Sequence, residues 1–253
     1  MSWRAVYVIV LREFKRFFRQ RGRLLTTIAR PLLWLFIVGA GLTSIIDVNT
    51  HGSYMQFILP GVVGMTILFS SIFSTISVVW DREFGFLREI LVAPVSRLTI
   101  VAGKLLSGTA LSLFQGMALL LVAPLVGLEV GLWQMLSMAV LITLLSFALT
   151  SFGLFIAARL TSLEGFNVIM NFIVLPMFFL SGALYPVEKL PLVLKYLTFL
   201  NPLSYGVDSF KHVLLTNNGM LTAELPMYVD VGFVVTFGVV MTLLSAWAFG
   251  RRE

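Results

Sequence analysis

A chain of 253 residues that is 58% hydrophobic and 12% charged lies outside the range of soluble domains, in which about a quarter of residues are charged. It contains no cysteine, which excludes disulfides, thiolate metal sites and cysteine nucleophiles. The net charge of +6 would suit nucleic acid, but the basic residues cluster beside long apolar runs and read as membrane topology instead.

The N-terminal segment 1–22 predicts an amphipathic helix lying in the headgroup layer. Trp3, Val6, Tyr7, Val10, Leu11, Phe14 and Phe17 recur at helical spacing, while Arg4, Arg12, Lys15, Arg16 and Arg19 fall largely elsewhere. Neither a short basic start nor a cleavage site marks a secretory signal. The first apolar span covers residues 24–46, with Pro31 in its early turns and Arg30 placed to snorkel. After a polar break at 47–54, the second span covers 55–80 and ends at a charged turn. Spans three to six cover 100–126, 132–158, 165–184 and 231–250. At about 1.5 Å per residue each can cross about 30 Å of hydrocarbon. The expectation is therefore an all-α integral membrane domain with six transmembrane helices.

The turn at 81–97 is the only internal segment dense in charge. Phe84, Leu87 and Leu91 recur at helical spacing, as do Glu83, Leu87 and Ile90, and Arg82, Arg88 and Glu89 supply polar positions. Pro94 stops this short helix and Ser96 can cap the next one. With both termini cytoplasmic, all of the 18 lysines and arginines except Lys189, Lys195 and Lys211 fall on the cytoplasmic side, and the 81–97 turn with them. On the other side, residues 185–228 carry two helical stripes: Leu190, Val193, Leu194 and Leu197, then Leu203, Val207, Phe210 and Leu214. Asn201-Pro202 is an N-cap followed by proline at the first helical position. Two short helices dipping into the outer leaflet fit this segment.

Few residues offer chemistry. The phosphate-binding pattern G-x-x-x-x-G-K-[ST] is absent, as is H-E-x-x-H, and the two histidines, His51 and His212, both fall outside. His212 reads as an interfacial residue. No acids pair within a span, which argues against proton-driven transport, and Glu164 reads as the interfacial partner of Arg159. Among uncharged polar residues, Ser70 and Ser74 on span two and Asn167 and Asn171 on span five are candidates for lining a translocation path. Helix packing through small and hydroxylated residues is the plainer reading of each.

Three stretches together resemble the permeases of the ATP-binding-cassette type-2 exporters, which move drugs, polysaccharides and lipids. They are Tyr54-Met-Gln-Phe-Ile-Leu-Pro-Gly61, Arg82 to Arg97, and Leu180-Ser-Gly-Ala-Leu-Tyr-Pro186 followed by Asn201-Pro-Leu-Ser-Tyr205. The resemblance covers essentially the whole chain and implies a type V exporter-like fold in one domain, 1–253. It implies that the 81–97 turn is the coupling helix, with Glu83, Phe84, Arg88 and Glu89 docking into a separate ATPase subunit. The N-terminal helix would be the connecting helix, and 185–228 the outer re-entrant pair. It further implies a non-catalytic subunit with no cofactor or metal of its own, ATP and Mg belonging to the partner. The implied assembly is two permease copies with two ATPase subunits in the inner membrane, exporting an amphipathic, hydrophobic or lipid-linked substrate. An ion- or proton-coupled secondary carrier is the alternative.

Overall fold

A computed structural model describes residues 3–43, 53–84, 96–187, 190–216 and 223–250. Helix α1 (Trp3–Arg19) carries the predicted stripe and buries Val6, Glu13 and Phe17. Helix α2 (Arg21–Leu33) runs on through a wide π turn, Trp34–Val38, into Gly39–Thr43. The wide turn follows Pro31, whose missing N–H opens the ladder upstream. Helix α3 (Tyr54–Glu83) starts at a cap in which Ser53 Oγ accepts from the Met55 N–H and Gln56 Oε1 accepts from the Ser53 N–H.

Helix α4 (Arg97–Leu120) starts where Ser96 accepts from the Thr99 N–H at 3.4 Å, as its sequence predicts. It ends earlier than hydropathy suggests, because Pro124 in the following tight turn, Ala123–Val126, cannot continue an α ladder. Helix α5 is Leu132–Arg159. Helix α6 (Leu163–Ile169) passes through a second π turn, Met170–Val174, into Leu175–Phe179, again beside a proline, Pro176. The predicted fifth span thus stops five residues early, at a loop that reverses through Gly182 at φ +69°. Helices α7 (Leu192–Phe199) and α8 (Pro202–Leu214) are the expected short pair, α8 capped by the Asn201 side chain on the Leu203 N–H. Helix α9 (Met227–Gly250) is the last described helix and starts four residues before the predicted sixth span, which brings Asp230 into its first turn.

Among the described residues, four helices, α3, α4, α5 and α9, are long and apolar enough to cross a membrane; Ala29–Gly41 and Leu163–Phe179 are shorter apolar helices. The described residues contain no strand. Helix α5 lies at the centre against α3, α4, α8 and α9, and α1 lies along α4. Apolar side chains also face outward, among them Ile37, Leu136, Phe172 and Leu243. A bundle whose solvent is lipid gains nothing by hiding them. Hydroxyls tie the helices together instead: Ser71 donates to Ser112, which donates to Ser70, and Ser151 and Thr242 share a bond at 2.8 Å.

Two of the stretches that carried the family resemblance, 54–61 and 180–186 with 201–205, meet in space. The Tyr54 hydroxyl donates to the Leu184 carbonyl at 2.7 Å. A Cβ at Gly61 would lie 2.5 Å from the Ala183 carbonyl oxygen, so only glycine allows α3 this close to the loop. Asn201 Nδ2 donates to Met177 O, and Ser204 Oγ to Leu180 O.

Candidate coupling base and cavity

At the end of the bundle that carries α1, four charged side chains converge. The Lys104 ammonium is buried and donates to Glu13 Oε1 at 2.7 Å, Ser77 Oγ at 2.7 Å and Asp81 Oδ2 at 3.3 Å. Its three protons therefore have three acceptors. Arg12 adds bonds to Asp81 at 3.3 Å and Glu13 at 3.5 Å, so two cations meet two anions and the cluster is neutral. Burial acts to raise the Glu13 pKa, but the charge and hydrogen bond of Lys104, with Arg12 and Arg16, outweigh it and hold the carboxyl below its ordinary value. Helix α1 is thereby fastened to α3 and α4.

The next two residues of α3 fasten it to two further helices. Arg82 Nη1 donates to the carbonyls of Ala157, Ala158 and Leu160, where the end of α5 leaves acceptors without intrahelical donors. Glu83 Oε2 accepts from the Leu163 N–H at 3.0 Å, in the first turn of α6. Each charge thus sits at the helix end whose dipole favours it. Phe84 follows, 59% exposed, with its ring 5.4 Å from that of Trp80. Of the docking residues inferred from the sequence, Arg88 and Glu89 lie outside the described residues.

A cavity of about 420 Å³ opens between α1, α2 and α3. Met65, Phe69, Phe73 and Ile76 form its apolar wall; Arg16, Arg30, Gln20 and Gln115 supply polar groups. Ser70 lines it. Ser74 instead bonds the Ser71 carbonyl and faces Gly108 of α4. Asn167 on α6 and Asn171 in the π turn that follows it are exposed. The four path candidates therefore do not converge within one copy of the chain.

The opposite end holds charges that hydropathy had left unremarked. Asp208 accepts from the backbone N–H groups of Glu224 and Leu225, at 3.0 and 2.8 Å for the shorter contacts, and so clamps the approach to α9 onto α8. Lys211 is buried, with its ammonium 5.0 Å from the Phe57 ring centroid. His212 Nε2 is 2.6 Å from the Leu225 carbonyl and 3.9 Å from Asp230 Oδ2. It is thus part of a tertiary contact and not a plain interfacial residue. Asp230 is fully buried, and neither carboxylate oxygen has a hydrogen-bond partner among the described residues. Ligand atoms of Asp208, His212 and Asp230 lie within 4.8 Å of one another. Helices α8 and α9 thus bring two acids together, both outside the predicted spans, within which no acids were expected to pair. The Arg159–Glu164 pair is also replaced, since Arg159 lies over the rings of Phe155 and Trp247 at 5.3 and 5.6 Å while Glu164 is exposed.

Sequence reasoning passed over Glu13, Asp81 and Lys104 as partners, although one signal was available. Glu13 is the lone acid in a basic helix and shares a face with Val6 and Phe17, where a solvated charge would be out of place.

An all-helical bundle with apolar membrane-length helices and a neutral ion cluster at one end defines an integral membrane protein. The chain belongs to the ABC-2 type transporter family, which matches residues 4–215, and is a transmembrane permease of an ABC transporter. Permeases of this family partner an ABC ATPase. The chain is 28% identical over 250 residues to the inner membrane transport permease YadH of Escherichia coli (strain K12), covering 98% of this chain and 93% of that one. It is 29% identical over 224 residues to the transport permease ycf38 of Cyanophora paradoxa, covering 87% and 77%. It is also 27% identical over 232 residues to nodulation protein J of Rhizobium leguminosarum bv. viciae, covering 90% and 87%.

Proposed function

We propose that the chain is one half of an inner-membrane exporter, energised by a separate ATPase that docks on the 81–91 segment. Two copies form the permease and two ATPase subunits supply ATP and Mg chemistry. All six apolar helices cross the membrane in a type V arrangement with both termini cytoplasmic. The substrate is amphipathic, hydrophobic or lipid-linked and moves outward. Glu83, Phe84, Arg88 and Glu89 form the docking surface.

The observation that carries this reading is the way the end of α3 is fastened. Asp81 ties it to α1 and α4, Arg82 to α5 and Glu83 to α6, and the exposed Phe84 follows immediately. A push delivered beside Phe84 therefore reaches every one of those helices through charge-assisted bonds, which resist extension more than apolar contacts do. The differential contact that ATP binding must make is on that segment.

The experiment is co-purification of a tagged chain, with transport and substrate-stimulated ATPase rate measured in the isolated complex. Charge reversal at both Glu83 and Glu89 lowers both rates while the chain stays in the membrane; unchanged coupling overturns the docking role. The buried Asp230 favours a second reading, a self-sufficient ion- or proton-coupled carrier, because intramembrane ionisable groups commonly mark ion paths. Transport in vesicles containing this chain and no ATPase would decide for the carrier.

A further inference from the structure

The charges along the α1–α3 cavity are unevenly matched. Glu13 faces it, but its carboxylate is taken by Lys104 and Arg12. Arg16 and Arg30 face it too, and neither has an ion-pair partner among the described residues. Each guanidinium instead lies over an aromatic ring of α3, Arg16 over Trp80 and Arg30 over Phe69, both at 5.8 Å from the centroid. Stacking of that kind holds the guanidinium plane while leaving its N–H edge free for an anion. Gln20 and Gln115 add neutral donors to the same space. Behind the guanidinia, Phe69, Phe73, Met65 and Ile76 offer an apolar wall with no charge.

We infer that this cavity binds an amphiphile with a phosphate-type anionic head, the head held between Arg16 and Arg30 and the tail laid along α3. Geometry favours that chemistry over the alternatives. A cationic amphiphile would meet two guanidinia, and the one acid among the described lining residues, Glu13, is already bonded to Lys104 and Arg12. A polar anion without a tail would leave the aromatic wall wet. A volume of about 420 Å³ accommodates a single chain with its head, within the range of about 300–1,000 Å³ usual for small-molecule sites. The inference deepens the exporter reading and rests on it for placing the cavity on the side from which cargo is taken. Binding itself needs neither orientation nor ATPase.

The test uses the full chain alone in phosphatidylcholine nanodiscs, so that a failed ATPase association has no bearing on it. Dodecyl phosphate with a diazirine on its alkyl chain is photolysed and the labelled peptides are mapped by mass spectrometry; dodecyl trimethylammonium with the same diazirine is the control. Labelling is expected on α3 between Met65 and Trp80 for the phosphate and not for the ammonium. Arg16→Gln and Arg30→Gln each weaken it about tenfold, the worth of one charge-assisted contact. Arg16→Lys and Arg30→Lys restore part of it, which separates loss of recognition from loss of fold. Competition by excess phosphatidylglycerol identifies the natural ligand as a membrane phospholipid; competition by unlabelled dodecyl phosphate alone identifies a single-chain cargo. Either result supports the site. Equal labelling by the ammonium, or labelling that survives the double glutamine variant, overturns it.

Discussion

Lys104 Nζ lies 2.7 Å from Glu13 Oε1, joining a helix that lies along the bundle to one inside it. Both side chains are nearly inaccessible, so each neutralises a charge that could not otherwise be buried. Removing one partner leaves the buried cluster with an uncompensated charge, at a cost of about 3–5 kcal/mol, whereas removing both restores its neutrality and is far milder. Glu13→Gln and Lys104→Met should each weaken the docking of α1 and lower thermal stability, and the double variant should recover much of the loss. A thermal-shift measurement on the four proteins checks the sign of the coupling. Additive losses would mean that the pair does not act as a unit.

The same pair sets a pH dependence. Glu13 keeps its proton off to a lower pH when α1 is docked than its ordinary value of 4.5. Its stabilising contribution is therefore complete above 4.5 and is lost as pH falls through the depressed native value. A single cysteine at buried Val6, read by thiol labelling, should stay protected from neutral pH down to that region and become accessible below it. In Lys104→Met the transition should move upward, because burial then dominates the carboxyl. No movement would separate Glu13 from α1 docking.

Gly61 is where α3 touches the loop after α6. A methyl at that position meets the Ala183 backbone at 2.5–2.6 Å, and backbone on both sides has no rotamer with which to yield. Gly61→Ala should destabilise by about 1–3 kcal/mol. Gly232→Ala, with nothing within 4 Å of the added carbon, should be neutral or stabilising by about 0.5–1 kcal/mol through helix propensity. Melting temperatures of the two variants in one detergent make the comparison.

The exposed face of α6 bears Asn167, Asn171, Val168 and Phe172. If two copies meet there on a central path, Asn171→Cys should form an inter-chain disulfide under mild oxidation. The chain has no other cysteine to confuse the result. Leu243→Cys, exposed on α9, should stay monomeric on the same gel. Equal cross-linking at both positions would remove α6 from the interface.

Much of this protein is legible in one dimension. Hydropathy is a local sum, so every long apolar helix was marked by its own residues, as were the Ser96 and Asn201 caps. The stripe on α1 was legible for the same reason. What a local sum leaves open is the rotation of each helix about its axis. That rotation turns Glu13 inward to Lys104 and Asp81, carries Asp230 beside His212 and Asp208, and sends Ser74 toward α4 while Asn167 and Asn171 face away. It also leaves Arg16 and Arg30 stacked on α3 without an ion-pair partner among the described residues. Charges tens of residues apart in sequence become partners only when packing brings their faces together. Composition therefore settled that the chain is a membrane bundle, and side-chain packing across the bundle decided where its charges meet.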